Sequence, residues 1–189
     1  TLNELAKTKG LELIVVGIDH GGEHRIQELD AWDNAKFGKG EGRQYMDFVV
    51  GTVKPYIDQH YRTKPGRADT AIMGSSMGGL ISQYAIEQYP QVFGKAGMFS
   101  PAYWLAMPAV FDFATAQPPR KDAKLYFYAG GKEGDSMLPD MRRMVDLLRH
   151  DLPATHIATR IDPEAQHNEA AWRAQFASAL LWLFGGNGQ

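Results

Sequence analysis

The chain has 189 residues, 44% of them hydrophobic, which suffices for one well-buried core and is too short for two comfortable domains. A formal net charge of -2 gives no long-range attraction to nucleic acid or an anionic membrane, so a small neutral or weakly charged molecule is the natural partner. Cysteine is absent, which excludes disulfides, thiolate nucleophiles and cysteine zinc sites.

Leu2 to Lys9 reads as the end of a polar-faced helix closed by Gly10. This opening stretch lacks the apolar centre of a signal peptide, and no apolar run in the chain approaches the length of a membrane span. Leu11 to Ile18 (L-E-L-I-V-V-G-I) is nearly continuous, apolar and rich in β-branched residues, the pattern of a strand buried on both faces of a parallel sheet. Asp19 to Gly42 is glycine-rich, charged and aperiodic, and reads as a long loop over the sheet. From Tyr45 to Tyr61, Phe48, Val49, Val53, Tyr56 and Ile57 recur at helical spacing, with a bend or restart at Pro55.

After a polar turn at Thr63 to Arg67, Ala71 to Met73 starts a short strand, and the helix that follows ends at Pro90. Lys95 to Phe99 is another strand, and the proline-rich stretch from Ser100 to Pro119 is irregular or briefly helical. A strand over Leu125 to Ala129, a helix from Asp140 to His150 and a strand over Thr155 to Ile161 come next. The last helix starts at Asn168, a good N-cap, and stops at Gly185-Gly186. Strands alternating with helices imply one α/β domain over 1-189, a mostly parallel sheet with helices on both faces.

Between the strand at Ala71 and the helix after it lies Gly74-Ser75-Ser76-Met77-Gly78, a G-x-S-x-G pattern in the strand-turn-helix setting that a nucleophile elbow needs. The serine at such a turn sits in a strained backbone conformation, and side chains two positions either side would collide, so both are glycine. Ser76 is the candidate nucleophile, and the Met77 N-H is placed to meet a developing oxyanion with the positive end of the following helix behind it.

A serine hydroxyl needs a base to take its proton and a carboxylate to hold that base in the right tautomer. Both belong in loops at the carboxyl ends of strands. Among the six histidines, His167 follows the last strand and immediately precedes the helix led by Asn168, whereas His20 and His24 come before the serine. The loop Gly130-Gly131-Lys132-Glu133-Gly134-Asp135 offers two carboxylates. Glu133 is preferred because it is nearer the strand end and flanked by glycine, with Asp135 as the alternative. Ser76, Glu133 and His167 then follow the chain order Ser, acid, His found in α/β-hydrolases.

His20-Gly-Gly-Glu23-His24 contains metal-ligating residue types, but its two glycines argue against the helix that would aim both rings at one ion, so no metal and no cofactor is called for. Tyr103 and Trp104 lie just past a strand end, where rings can wall a pocket or pack the core, and Arg25 and Trp32 in the long loop are candidates for the substrate mouth. Trp172, Phe176 and Trp182 recur on the last helix and read as its buried face, as do Met137, Met141 and Met144 on the helix before it.

The stretch from Ala71 to Trp104, A-I-M-G-S-S-M-G-G-L through F-S-P-A-Y-W, resembles the nucleophile region of the putative-esterase family of α/β-hydrolases. That family includes feruloyl esterases, enterochelin esterases, S-formylglutathione hydrolases and the antigen 85 mycolyltransferases. V-V-G-I-D-H-G, Y-A-G-G-K-E-G-D and H-N-E-A-A-W-R resemble its other recurring blocks, so the similarity runs from Leu13 to Phe184. It implies an α/β-hydrolase fold with Ser76, His167 and Glu133 as a triad, Met77 at the oxyanion hole and a small-molecule ester as substrate.

Family members have about three more strands upstream, and a loop after one of them supplies the second oxyanion N-H. Nothing before Leu11 provides these, so the fold is expected to lack its first strands, with an N-terminal segment or a second chain completing the sheet. Serine-dependent ester hydrolysis is the leading expectation. Acyl transfer with the same triad and a catalytically silent binding domain are the alternatives.

Overall fold

A computed structural model describes residues 1-185. Its centre is a four-stranded, fully parallel sheet in the order β1 (Ala71-Ser75), β2 (Lys95-Phe99), β3 (Lys124-Gly130) and β4 (Ile157-Asp162). Registers such as Ser75 to Phe99, Phe99 to Tyr128 and Gly130 to Asp162 align the four carboxyl ends along one edge. Each step along the sheet is a crossover that places a helix on one face, as parallel pairing requires.

The sheet's two faces are read out by the two-residue period of β3. Leu125, Phe127 and Ala129 point into the larger core beneath α5 (Met77-Gln88), α6 (Ala109-Ala116) and α7 (Met137-Leu148). Tyr126 and Tyr128 point the other way, into a smaller cluster with Phe99, Ala179 and Leu183 beneath α8 (Glu169-Phe184). Met137, Met141 and Met144 lie in the larger core as the helical pattern implied.

Upstream of the sheet are α1 (Leu2-Lys9), closed by Gly10 at φ 62°, the four-residue α2 (Arg25-Glu28), α3 (Gly42-Phe48) and α4 (Lys54-His60). A π-helical stretch, Val49-Val53, joins α3 to α4. It lies just before Pro55, where the missing N-H would otherwise break the i to i-4 ladder, so the chain continues as one rod through the proline. The helix expected from Asp140 starts at Met137 instead, because Pro139 falls in the first turn, where a helix has no N-H bond to lose. Asn168 caps α8, its Oδ1 accepting from the Ala171 N-H at 3.0 Å, and the helix closes at Gly185. Gly186, the other residue of that expected stop, lies outside the described residues.

One expected strand is not formed. Residues 11-18 carry no strand hydrogen bonding, and Ile14 and Val15 are each 50% exposed. Apolar β-branched sequence favours extended chain, but a strand exists only where a neighbour supplies matching N-H and C=O groups. β1 forms the edge of the sheet on this side, and a cleft of about 1260 Å³ lies between it and residues 11-18.

Candidate active site

β1 delivers Ser76 to the carboxyl edge of the sheet at φ 57° and ψ -117°, a conformation that L-residues rarely adopt. Backbone bonds on both sides hold it there. The Ser76 N-H donates to Phe99 O at 2.8 Å, and its carbonyl accepts from the N-H groups of Gly79, Leu80 and Ala102 at 3.0 to 3.1 Å. Strain of this kind, costing about 1-3 kcal/mol, persists only where surrounding structure over-determines it.

The two glycines of the motif turn out to differ. A Cβ on Gly74 would lie 2.4 Å from the backbone of Gly78, so no side chain fits. A Cβ on Gly78 would meet nothing within 4 Å, because that position faces the open cleft beside β1. The collision expected at both positions therefore applies to Gly74 alone. The Met77 and Gly78 N-H groups, the first two of α5, have no backbone partner among the described residues.

The other strand ends converge on the same edge. After β3, Glu133 turns back so that its Oε1 accepts the Gly130 N-H at 2.5 Å, and its side chain has no solvent exposure. After β4, the loop before α8 brings His167 Nδ1 to 2.7 Å from Glu133 Oε2. The loops are tied together by Gly131 N-H to Asp162 O at 2.7 Å and Lys132 N-H to Ala165 O at 2.9 Å. An ionised carboxylate only accepts, so Nδ1 carries the proton and Nε2 is left as the acceptor. His167 Nε2 and Ser76 Oγ form no hydrogen bond among the described residues, and such contacts are commonly longer without substrate and tighten when it binds.

Of the two candidate carboxylates, Glu133 is the one beside the histidine, while Asp135 is exposed on the outside of the loop. Trp104 stands 54% exposed in the segment after β2. Tyr103, its neighbour and fellow candidate for the pocket wall, is instead fully buried, donating to Gln83 Oε1 at 3.0 Å and packing edge-on against Phe111. Successive residues of a single helical turn point apart, so only one of the pair can face solvent. Trp32, half-buried, packs edge-on against Tyr84 and Phe113 and anchors its loop to the core. Arg25, half-buried in α2, borders the cleft beside β1.

Two further residues touch the acid and the histidine. Ser100, fully buried at φ 46° just past β2, donates from Oγ to Glu133 Oε1 at 2.8 Å. Trp172 donates its indole N-H to Ser100 Oγ at 2.8 Å and sets its ring edge-on to His167, centroids 4.9 Å apart. Trp172 packs against the smaller core, as expected of the buried face of its helix, and its indole N-H also reaches this edge. The available signal was its place one turn and a residue past His167 on the same helix end.

A model of the family described as "Putative esterase" matches residues 1-183. The chain belongs to this family. It is a family of carboxylic ester hydrolases with the α/β-hydrolase fold, and the parallel sheet flanked by helices fits it. This family member is 28% identical over 191 residues to the uncharacterized protein YbbA of Bacillus subtilis (strain 168), covering 93% of the chain and 75% of YbbA. Its fold is similar to that of the enterobactin esterase FES of Shigella flexneri, with a TM-score of 0.74 at 18% identity. That match covers 96% of this chain and 47% of FES. A ferulic acid esterase matches with a TM-score of 0.62 at 15% identity, over 82% of this chain and 63% of its own length. The chain thus spans less than two thirds of either esterase.

Proposed function

We propose that this protein hydrolyses a small-molecule carboxylic ester through an acyl-enzyme formed on Ser76. The observation that carries the reading is the His167 Nδ1 to Glu133 Oε2 bond on the same sheet edge as a serine at positive φ. Ser76 Oγ attacks the ester carbonyl carbon while its proton passes to His167 Nε2, and the negative charge on the carbonyl oxygen is met by the Met77 N-H. Collapse of the tetrahedral intermediate breaks the bond to the alcohol, which leaves with the proton from His167. Water then attacks the acyl-serine with His167 as base again, releasing the acid and restoring the hydroxyl. Glu133 holds the imidazole and stabilises its cation throughout. Trp104, the exposed aromatic on this edge, is the proposed wall for the substrate.

The test is labelling by a fluorophosphonate together with hydrolysis of a p-nitrophenyl ester. Ser76→Ala should abolish both, with a loss of about 10⁴-fold or more in kcat. Glu133→Gln should cost about 10²- to 10⁴-fold by releasing the tautomer, while Asp135→Asn should leave kcat unchanged. Labelling that persists in Ser76→Ala removes the assignment. Adding an alcohol acceptor and analysing products separates hydrolysis from acyl transfer by the same residues.

The cleft beside β1 favours a second statement. A segment completing the sheet there, from the same polypeptide or a second chain, would bring the second oxyanion N-H toward Ser76. If so, a longer form of the polypeptide should exceed residues 1-189 by about 10²- to 10³-fold in kcat, the usual worth of one such donor. Equal inertness of both forms toward esters, with a ligand still bound, is the outcome that favours a silent binding domain.

A further inference from the structure

We propose that Ser100 and Trp172 are positioning residues for the acid-histidine pair, a role that rests on the esterase reading above. The indole N-H of Trp172 can only donate and the Glu133 carboxylate can only accept. Ser100 Oγ lies 2.8 Å from each, so its lone pair must take the indole proton and its single hydroxyl proton must go to Oε1. The direction of the relay is therefore fixed by donor inventory. With the Gly130 N-H also on Oε1 and His167 on Oε2, a carboxylate without solvent exposure has three donors converging on it.

The contacts close a circuit: His167 to Glu133, Glu133 to Ser100, Ser100 to Trp172, and the Trp172 ring edge-on back to His167. His167 immediately precedes the N-cap of α8 and Trp172 lies in its first turns, so one helix end carries both the imidazole and the group that braces it. Ser100 comes from β2 and Glu133 from the loop after β3, so the circuit sews three neighbouring strand ends together.

The backbone at Ser100 adds an independent indication. A fully buried residue at φ 46° would be accommodated with less strain as glycine. Its N-H is occupied by Tyr128 O at 2.6 Å, so the backbone geometry is set by β3 whatever the side chain. What serine adds over glycine is the hydroxyl, and its hydrogen-bond partners among the described residues are the Glu133 carboxylate and the Trp172 indole.

The pair Ser100→Gly and Trp172→Phe tests this. Glycine deletes the hydroxyl while relieving the backbone, and phenylalanine deletes the N-H while keeping a ring. Ser100→Gly should lower kcat on a p-nitrophenyl ester by about tenfold to a hundredfold, the usual worth of a hydrogen bond to a charged group. KM should stay within about twofold, since no substrate contact is lost. Trp172→Phe should lose less, and the double variant should be no worse than Ser100→Gly alone, because the two groups act in series.

A readout independent of turnover is the downfield, exchange-protected proton resonance of His167 Nδ1-H, expected in wild type and broadened or lost in Ser100→Gly. Wild-type kcat with an unchanged resonance in Ser100→Gly would overturn the proposal, as would an effect confined to KM or a double variant with fully additive losses. If residues 1-189 and a longer form of the polypeptide prove equally inert toward esters and fluorophosphonates, the esterase reading falls. The resonance and its response to both substitutions still decide whether the relay holds the ring. Should Ser100→Gly fail to fold, Trp172→Phe carries the same comparison.

Discussion

The two flanks of the sheet are built from similar residues and end differently. β2 and β3 are paired on both sides, and Met98, Leu125 and Phe127 on them are wholly buried. On the other side of β1, residues 11-18 are at least as rich in aliphatic side chains, yet Ile14, Val15, Val16 and Ile18 stand exposed across an open cleft. The difference shows that burial is conferred by neighbours. An apolar run states what a segment would do beside a partner, and the partner must be there. Chemistry is divided the same way: the acid, the histidine and their bracing hydroxyl are on the closed flank, while the elbow serine stands at its border with the open one.

The closed core should respond most strongly to substitution. Phe127→Ala should cost about 3-5 kcal/mol, since it empties a site with no solvent exposure and packed layers above it. Urea unfolding would show this, and a loss below about 1 kcal/mol would mean that this flank is as loosely filled as the other.

A smaller, pH-dependent effect is expected at Glu87, buried on α5 in the same core. Its Oε1 accepts from Gln83 Nε2 at 2.5 Å, Gln83 accepts from Tyr103, and its Oε2 has no partner among the described residues. Burial pushes the Glu87 carboxyl well above the ordinary value of 4.5, with the Gln83 bond opposing. The folded state therefore keeps a proton that the unfolded chain gives up as pH rises past that value. Its contribution to stability is present below it and lost as pH climbs toward the folded pKa. Wild type should thus lose stability relative to Glu87→Gln as pH rises above the ordinary value of 4.5, as read by urea unfolding across a pH series. A gap that does not change with pH would mean that Glu87 is ionised inside the core.

What the amino-acid order made legible follows the range of the interactions involved. The strand at Lys95-Phe99, the cap at Asn168 and the elbow at Ser76 are local, decided by residues within a turn or two, and each lies where the pattern put it. Glu133 and His167 are 34 positions apart but sit on successive strand ends, so the topology of a parallel sheet brings them together. Trp172 and Ser100 are 72 positions apart and meet only through tertiary packing, which leaves no periodic trace. Tyr103 and Trp104 are adjacent and chemically alike, and only the direction of one short turn buries the first and exposes the second. Residues 11-18 misled for the opposite reason: the local signal is strong, and pairing, which is not local, was wanting.

The open flank should respond least, and its response should depend on what lies beside β1. Ile14→Asn should change the stability of residues 1-189 by no more than about 0.5 kcal/mol, as for any substitution at a half-exposed position without tertiary hydrogen bonds. The same change should cost about 1.5-3 kcal/mol, the worth of burying such a side chain, in any form of the protein where a further strand fills the cleft. A cost of that size already present in residues 1-189 would mean that this flank closes in solution without help. A negligible cost in every form would mean that the run from Leu11 to Ile18 is not waiting for a neighbour, and the second oxyanion donor would have to be sought elsewhere on the sheet edge.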